Sequence, residues 1–363
     1  MNRMHIVPVL LAGGIGERFW PMSRSSTPKQ LLPLISNKSM IQETLDRVTP
    51  VIADDVKPLI ITGSSIAAKL KKGLDKNTPC DTIAEPVGKN TAPAVLLGAL
   101  WLRRKYGECV MAVLSADHAI KPRTSFITSL KFAAGIAAQQ DRLVVFGIEP
   151  SRPDTGYGYI HLGKALATRG KHRSFEVRTF VEKPTLPRAK RYVSSGRYLW
   201  NSGMFVWTTS VILEEFARSM PRLFEQGLQV ERGRFTLKAI DAYYHACEKE
   251  SVDYGIMEHS HRVAAVKAAF QWDDVGSWES VSRLHKGNRR NTTASGDNIY
   301  EAECRDSIIV NNSALTVAAL GVDNLVVVTT DDAVLVIPRD RLPGIKKFLG
   351  EMKKDARLPT HLF

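Results

Sequence analysis

Short apolar runs alternate with helix-patterned segments through the first 150 residues, and this alternation constrains the fold more than any other feature. The pattern predicts strands at residues 6–11, 58–62, 109–114 and 143–148, and helices at residues 39–48, 65–74, 92–105 and 125–139. Repeated strand–helix–strand units make neighbouring strands parallel and cover both faces of the sheet. We therefore predict a Rossmann-like α/β fold with a mainly parallel sheet, whose ligands bind beyond the carboxyl ends of the strands.

The character of the chain changes after residue 285. Residues 150–285 are irregular and are predicted to build a second wall of the ligand cleft. A polar stretch at 285–298 is followed by short β-rich runs at 307–320, 324–330 and 333–338, and by an amphipathic helix at 345–352. We predict a first domain over residues 1–285. A small β-solenoid-like module of the left-handed β-helix type, with its terminal helix, is predicted over residues 295–363.

Composition excludes several classes of protein. The four cysteines have no CxxC spacing, so neither a zinc site nor a disulfide framework is predicted. The net charge of +13 indicates anionic partners, but the basic residues are spread along the chain and form no nucleic-acid-binding arm. No apolar stretch is long enough to span a membrane and no cleaved leader is evident. We expect a cytoplasmic protein that binds neither nucleic acid nor membranes.

The stretch "LAGGIGERFWPMSRSSTPKQLLPL", residues 11–34, places glycines and cations directly after the first predicted strand. A dinucleotide-binding site is disfavoured because Phe19 replaces the third glycine of GxGxxG and no acidic residue follows about 20 positions later. The P-loop pattern is absent from this stretch. Backbone N–H groups flanked by Arg18 and Lys29 suit a polyphosphate. A tight turn that carries surface cations is the alternative.

A series of ordered motifs decides between these interpretations. The segment "GGIGERFWPMSRSSTPKQ" resembles the first motif of the sugar-phosphate nucleotidyltransferases, in the form found in their mannose-specific branch. Further matches follow in the same order: "EPVGKNTAPAV" (85–95), "SADHAI" (115–120), "PDTGYGYI" (153–160), "FVEKP" (180–184), "WNSGMFVW" (200–207), "SVDYGIMEHS" (251–260) and "WDDVGSW" (272–278). This resemblance covers nearly the whole chain and implies a nucleotidyltransferase catalytic domain of the GT-A-like type.

The resemblance also implies a role for individual residues. The residues implied to bind the nucleotide are Ala12, Gly13, Gly14, Glu85 and Asn90, and those implied in catalysis are Arg18, Lys29 and Asp117. Gly156, Glu182, Lys183 and Asn201 are implied to bind the sugar phosphate. Asp117 and Asp274 are implied to hold Mg²⁺, and the adjacent Asp273 is a rival for the second position.

The activity that the resemblance implies is transfer of GMP from GTP to α-D-mannose 1-phosphate. GDP-mannose and pyrophosphate would form by direct in-line attack of the sugar phosphate on the α-phosphorus, without a covalent intermediate. A uridylyl- or thymidylyltransferase acting on another hexose 1-phosphate is the alternative. We expect a homodimer. Some relatives carry a further domain that isomerises mannose 6-phosphate, and we expect none here because the sequence ends at Phe363.

Overall fold

Strands and helices alternate through the first 150 residues, as the sequence pattern predicts. The computed structural model describes residues 4–75, 78–285 and 287–363, so Lys286 of the polar stretch lies outside the described residues. The helices are α1 Met40–Val48, α2 Ser64–Gly73, α3 Thr91–Tyr106, α4 Arg123–Gln140, α5 Leu186–Ser195, α6 Thr209–Ser219, α7 Pro221–Arg232, α8 Leu237–Ala246, α9 Trp278–Leu284 and α10 Ile345–Met352. None of these described helices is long and apolar enough to cross a membrane.

The strands extend over the whole chain. They are β1 Ile6–Ala12, β2 Leu59–Gly63, β3 Asp81–Glu85, β4 Val110–Ser115, β5 Ala119–Lys121, β6 Leu143–Ile148, β7 Tyr159–Arg169, β8 His172–Val181, β9 Tyr198–Thr208, β10 Val263–Lys267, β11 Gln271–Asp273, β12 Thr293–Gly296, β13 Ile299–Ala302, β14 Ile308–Asn312, β15 Val317–Leu320, β16 Leu325–Thr330 and β17 Val334–Pro338. Within the first 150 residues, the predicted boundaries agree with these to within two residues. The sequence pattern missed β3, whose only large apolar side chain is Ile83, and the three-residue strand β5.

Described residues fall into two units, each built from several chain segments. The first unit contains the residues up to Gly13 together with Thr44–Ala116 and Ile120–Trp272. The second unit contains Gly14–Glu43, Asp117–Ala119 and Asp273–Phe363. The glycine-rich loop and the C-terminal β-rich module are therefore parts of the same compact unit.

A large α/β sheet forms the centre of the first unit, with strand order β3-β2-β1-β4-β9-β6-β10-β8-β7. Strands β3, β2, β1 and β4 pair in parallel, as does β6 with β10. Strand β9 pairs antiparallel with β4 and β6, and β8 and β7 join the far edge antiparallel. The parallel β3-β2-β1-β4 half brings the carboxyl ends of its strands to one edge, which is where ligands bind in sheets of this type.

Both faces of this sheet are covered. Successive side chains of a strand point to opposite faces, and in the central strands both sets are apolar. In β4, Met111 and Val113 pack into a core with α3, α6, α7 and α8. Val110, Ala112 and Leu114 pack on the other face in a core with α4. Because both faces of β4 are buried, its inward and outward side chains are all apolar from Val110 to Leu114, and the strand appears in the sequence as a continuous apolar run.

The C-terminal part of the second unit is a β-helix-like module. Strands β12, β14 and β16 stack in parallel, and β13 pairs in parallel with β15. Successive partners lie 15 residues apart between Thr293 and Ile308, and 18 apart between Ile308 and Val326. The uneven coil length explains why the repeat could not be counted in the sequence. The inward side chains Ile308 and Val326 share a core with Phe19 and Trp20 of the glycine-rich loop.

Candidate active site

The glycine-rich loop after β1 has a backbone that requires glycine at two positions. Gly14 and Gly16 have φ values of 90° and 77°, in the region that side chains with a Cβ rarely adopt. A Cβ on Gly16 would also clash with the Cβ of Lys29. The Lys29 amide donates to the Ile15 carbonyl at 3.0 Å, and the Ser23 hydroxyl donates to the Gly16 carbonyl at 2.7 Å. The loop is therefore folded back on itself, with Lys29 fixed against it.

Lys29 connects three segments of the second unit. Its side chain is buried, and its ammonium lies 2.8 Å from Oδ2 of Asp117. The same ammonium donates to the backbone carbonyl of Asp274 at 2.9 Å. It also lies 5.7 Å from the centre of the Phe19 ring. One buried cation thus holds together the glycine-rich loop, the segment after β4 and the turn before α9.

In the turn before α9, the adjacent residues Asp273 and Asp274 have different roles. Asp273 accepts from the Val275 amide at 2.8 Å and binds the Arg283 guanidinium, with Nε 2.6 Å from Oδ2. Val275 has a φ of 47°, a costly conformation for a β-branched residue that the Asp273 bond supports. The Asp274 carboxylate lies against Gly276, where a Cβ would approach Oδ2 to 2.7 Å. Asp273 therefore supports the turn, and the turn presents Asp274.

These segments enclose a cleft of about 650 Å³ in the second unit. Its lining consists of Gly14, Ile15, Gly16, Glu17, Arg18, Phe19, Lys29, Asp117, Asp274, Gly276 and Lys346. We name this cleft the phosphate pocket. Gly14, Arg18, Lys29, Asp117 and Asp274, which the sequence predicts to act together, all line it. Lys346 from α10 was not predicted.

The donor set of the phosphate pocket fits Mg²⁺. Asp117 and Asp274 both lie close to the Lys29 ammonium, which bonds the carboxylate of one and the backbone carbonyl of the other. Among the described residues, no group of three or more histidine, cysteine, aspartate or glutamate side chains could hold a metal. Mg²⁺ needs no such cage, because it is typically bound by one or two carboxylates together with phosphate oxygens and water.

In the first unit, the ends of β1, β2 and β3 form a polar edge. Thr62 donates from its hydroxyl to the Ala12 carbonyl at 2.8 Å, and Gly63 pairs with Glu85 in the sheet register. A Cβ on Gly13 would lie 3.9 Å from the Glu85 carboxylate. Burial raises the pKa of Glu85, and the nearby Tyr244 hydroxyl offsets part of this rise. The predicted nucleotide-binding residues Ala12, Gly13 and Glu85 therefore lie together.

The segment after Glu85 is fixed by the chain around residue 250. Asn90 has a φ of 68° and caps α3, with its side-chain oxygen accepting from the Thr91 amide at 2.9 Å. The Thr91 hydroxyl accepts from the Val252 amide at 2.9 Å. Backbone hydrogen bonds join Lys89 to Glu250 and Glu250 to Ala92. Asn90 is thus the N-terminal cap of α3.

Four polar side chains of the first unit form what we call the carboxylate cluster: Glu182, Lys183, Asn201 and Asp253. The Asn201 amide nitrogen donates to Asp253 Oδ1 at 2.7 Å, and its oxygen accepts from the Gly203 amide at 2.9 Å. Lys183 has a φ of 44° and places its ammonium 2.9 Å from Glu182 Oε1. The sequence predicted three members of this cluster and missed Asp253.

The carboxylate cluster holds unsatisfied negative charge. Burial and the nearby Glu182 raise the pKa of Asp253 to about 6, against smaller opposing effects of Asn201 and Lys183. Glu182 Oε2 is buried, and no hydrogen-bond donor within the described part of the chain reaches it. A buried carboxylate oxygen without a donor is costly, so a ligand with hydroxyl donors would be stabilised here.

Gly158, which the sequence analysis did not name, is the glycine that packs against this cluster. A Cβ at Gly158 would clash with Glu182 Oε2, and its carbonyl accepts from the Asn201 amide at 2.8 Å. The predicted Gly156 lies in an exposed loop, where its amide donates to Asp154 at 2.8 Å. Asp253 and Gly158 both lie inside motifs that the sequence displayed, but their spacing from Glu182 gave no sign of the contact.

Two family models match the chain. The Nucleotidyl transferase model matches residues 7–291, and the MannoseP isomerase/GMP-like beta-helix domain model matches residues 298–352. The mannose-1-phosphate guanylyltransferase of Klebsiella pneumoniae is 38% identical over 360 residues, which are 97% of this chain and 75% of that protein. The xanthan biosynthesis protein XanB of Xanthomonas campestris strain B100 is 36% identical, with 97% of this chain and 74% of that protein covered.

Solved structures agree with the sequence matches. A crystal structure described as mannose-1-phosphate geranyltransferase from Thermus thermophilus superimposes with a TM-score of 0.86 at 30% identity, over 96% of this chain and 100% of that one. A UDP-glucose pyrophosphorylase complexed with UDP-glucose superimposes with a TM-score of 0.51 at 17% identity, over 78% of this chain and 97% of that one. The second likeness concerns the fold alone.

Proposed function

The chain belongs to the nucleotidyl transferase family and groups there with mannose-1-phosphate guanylyltransferases; from this premise we propose that it transfers GMP from GTP to α-D-mannose 1-phosphate. The products are GDP-mannose and pyrophosphate. The observation that carries this proposal is the convergence of Arg18, Lys29, Asp117 and Asp274 on one cleft. Cations beside paired carboxylates are what a metal-bound triphosphate requires.

We assign the triphosphate to the phosphate pocket. Arg18 offers a planar fork of donors, and Lys29 a fixed point charge that is already oriented by Asp117. Asp117 and Asp274 would hold Mg²⁺ there. When bound, the ion neutralises phosphate charge and orients the phosphate oxygens. The residues of the chain supply the remaining stabilisation, because their positions are set before the substrate arrives.

We assign the sugar to the carboxylate cluster. Glu182 and Asp253 can accept hydrogen bonds from neighbouring hydroxyls, while Lys183 offers its ammonium to the sugar phosphate. A phosphate monoester has a second pKa of about 6, so the sugar phosphate is largely a dianion at neutral pH. Its oxygen forms the new bond to the α-phosphorus as the bond to the bridging oxygen breaks, and pyrophosphate leaves with that oxygen. No general base is needed.

We assign recognition of the base to Glu85. An ionised carboxylate can accept from both the ring N–H and the exocyclic amine of guanine, a pair of donors that adenine lacks. Burial raises the pKa of Glu85 in the free protein, and hydrogen bonds donated by guanine would favour the ionised form again. Glu85→Gln replaces one acceptor by a donor and is expected to reduce the preference for GTP.

The proposal also predicts where the protein acts and how many copies associate. The reaction would take place in the cytoplasm, since its highly charged substrates do not cross an apolar membrane unaided. A homodimer would be seen as a doubled mass in light scattering.

The proposal is tested by measuring pyrophosphate release with a matrix of four nucleoside triphosphates and several hexose 1-phosphates, in the presence of Mg²⁺. GTP with mannose 1-phosphate should give the highest kcat/KM. Better use of UTP or dTTP would replace the proposal by the uridylyl- or thymidylyltransferase alternative, and would remove the guanine role from Glu85.

A further inference from the structure

Lys346 lies in the first turn of α10 and lines the phosphate pocket together with Arg18 and Lys29. It comes from the C-terminal module, more than 300 residues after the glycine-rich loop. Its side chain is exposed, and within the described residues it makes no ion pair or hydrogen bond. A lysine in a cleft without a carboxylate partner is available to an anionic ligand.

The other cations of the pocket are differently engaged. Lys29 is committed to the Asp117 carboxylate at 2.8 Å, so much of its charge is already neutralised. Arg18 is exposed, and its one polar contact with the described part of the chain is a long one of 3.5 Å to the Gly276 carbonyl. An entering polyphosphate therefore meets two cations without a carboxylate partner among the described residues, Arg18 and Lys346.

Helix α10 is packed on the glycine-rich loop, and this packing fixes the backbone position of Lys346. Ile345 and Leu349 are buried in the core that also contains Phe19 and Trp20. At the other end of the helix, the Lys353 ammonium binds Glu17 Oε1 at 2.9 Å. These contacts join α10 to residues on both sides of Arg18. The anchored helix fixes the backbone of Lys346, so only its side chain has to be ordered when a ligand binds.

We propose that Lys346 binds the terminal phosphates of the nucleotide and the pyrophosphate that they become. This proposal rests on the function proposed above, and it gives the C-terminal module a direct part in nucleotide binding. Lys346 contributes an ammonium that is not neutralised before the ligand arrives. The mannose 1-phosphate site, which we assign to the carboxylate cluster, does not depend on it.

The test uses Lys346→Gln and, as a matched control, Lys347→Gln, which removes the same charge from the adjacent exposed residue that does not line the pocket. Binding of inorganic pyrophosphate in the presence of Mg²⁺ is measured by calorimetry, and the thermal midpoint checks folding. Lys346→Gln should raise the Kd by about tenfold or more, the usual effect of one hydrogen bond to a charged group. Lys347→Gln should change it less than about twofold, and Lys346→Arg should restore most of the affinity.

Equal effects of the two glutamine variants, or no pyrophosphate binding by the unmodified protein, would overturn the assignment of Lys346. Failure of the proposed function has a different signature. In that case pyrophosphate binding would still depend on Lys346, while no pair of nucleoside triphosphate and mannose 1-phosphate would release pyrophosphate.

Discussion

The phosphate pocket and the carboxylate cluster present opposite charges to a ligand. In the phosphate pocket, the folded loop and Asp117 hold Lys29 in place, while Arg18 and Lys346 have no carboxylate partner among the described residues. In the carboxylate cluster, the half-buried Glu182 and Asp253 lie near each other with only partial compensation from Asn201 and Lys183. A polyphosphate requires positive charge that is already placed, whereas a polyol requires acceptors that have not been satisfied.

This comparison also predicts different consequences of mutation. Loss of a group in the phosphate pocket removes stabilisation of charge that develops during the reaction, so kcat falls. Loss of a group in the carboxylate cluster removes acceptors for the bound sugar and relieves repulsion in the free protein. Such a change should alter the KM for the sugar phosphate and the stability of the fold.

The largest effect is expected at the carboxylates of the phosphate pocket. Asp117→Asn or Asp274→Asn should lower kcat by roughly 10³-fold, because metal-assisted charge stabilisation is worth several kcal/mol. Asp273→Asn is the control, since Asp273 is bound to Arg283 and Val275. It should cost about 1–3 kcal/mol of stability and leave the Mg²⁺ concentration for half-maximal rate nearly unchanged. A Mg²⁺ requirement raised as strongly by Asp273→Asn would transfer the ligand role to that residue.

A smaller effect is expected from the cations. Arg18→Ala and Lys29→Ala should each lower kcat by roughly 10²- to 10³-fold, the usual loss for one preorganised electrostatic contact. The KM for mannose 1-phosphate should change little. Lys38→Ala is the control, because Lys38 follows the loop but does not line the pocket. If all three variants lost activity equally, and if high salt erased the loss, the cations would act only by long-range attraction.

The smallest effect concerns stability and comes from Asp253. A carboxyl with a pKa of about 6 in the folded state, against an ordinary value of 3.8, stabilises the fold most when protonated. That contribution is fully present below pH 3.8 and is lost as the pH rises through 6. Asp253→Asn removes this dependence and keeps an acceptor for Asn201. Between about pH 4.5 and 7.5, its stability relative to the unmodified protein should rise by about 1–3 kcal/mol in urea unfolding. Parallel pH profiles for the two proteins would show that Asp253 carries no buried charge.

The two regions also differ in what their sequence reveals. The phosphate pocket depends on local backbone geometry, and local geometry leaves local signatures: the glycines at 14 and 16 and the pair Asp273–Asp274. Resemblance supplied the roles, and the structure brings Arg18, Lys29, Asp117 and Asp274 to one cleft as expected. Lys346 could not be predicted, because only the packing of α10 on Phe19 and Trp20 places it there.

The carboxylate cluster is less visible in the sequence. Asp253 contacts Asn201, which lies 52 residues earlier in the chain. Backbone hydrogen bonds between the segment around residue 250 and the turn at Lys89 hold Asp253 in this position. Gly158 is needed for its close approach to Glu182, and its φ is not unusual, so no turn signal marks it. The sheet was predicted well over its parallel half, where strand and helix patterns are local. The antiparallel position of β9 between β4 and β6 depends on long-range strand pairing, which no local sequence pattern predicts.

The central claim, that this chain joins GMP to mannose 1-phosphate, is tested most directly by product analysis in one mixture. The protein is incubated with Mg²⁺, equimolar GTP, UTP, dTTP and ATP, and equimolar mannose, glucose and N-acetylglucosamine 1-phosphates, and the nucleotide sugars are identified by chromatography with authentic standards. Our account predicts GDP-mannose as the dominant product at early times. A dominant UDP- or dTDP-sugar, or the absence of any nucleotide sugar, would contradict it.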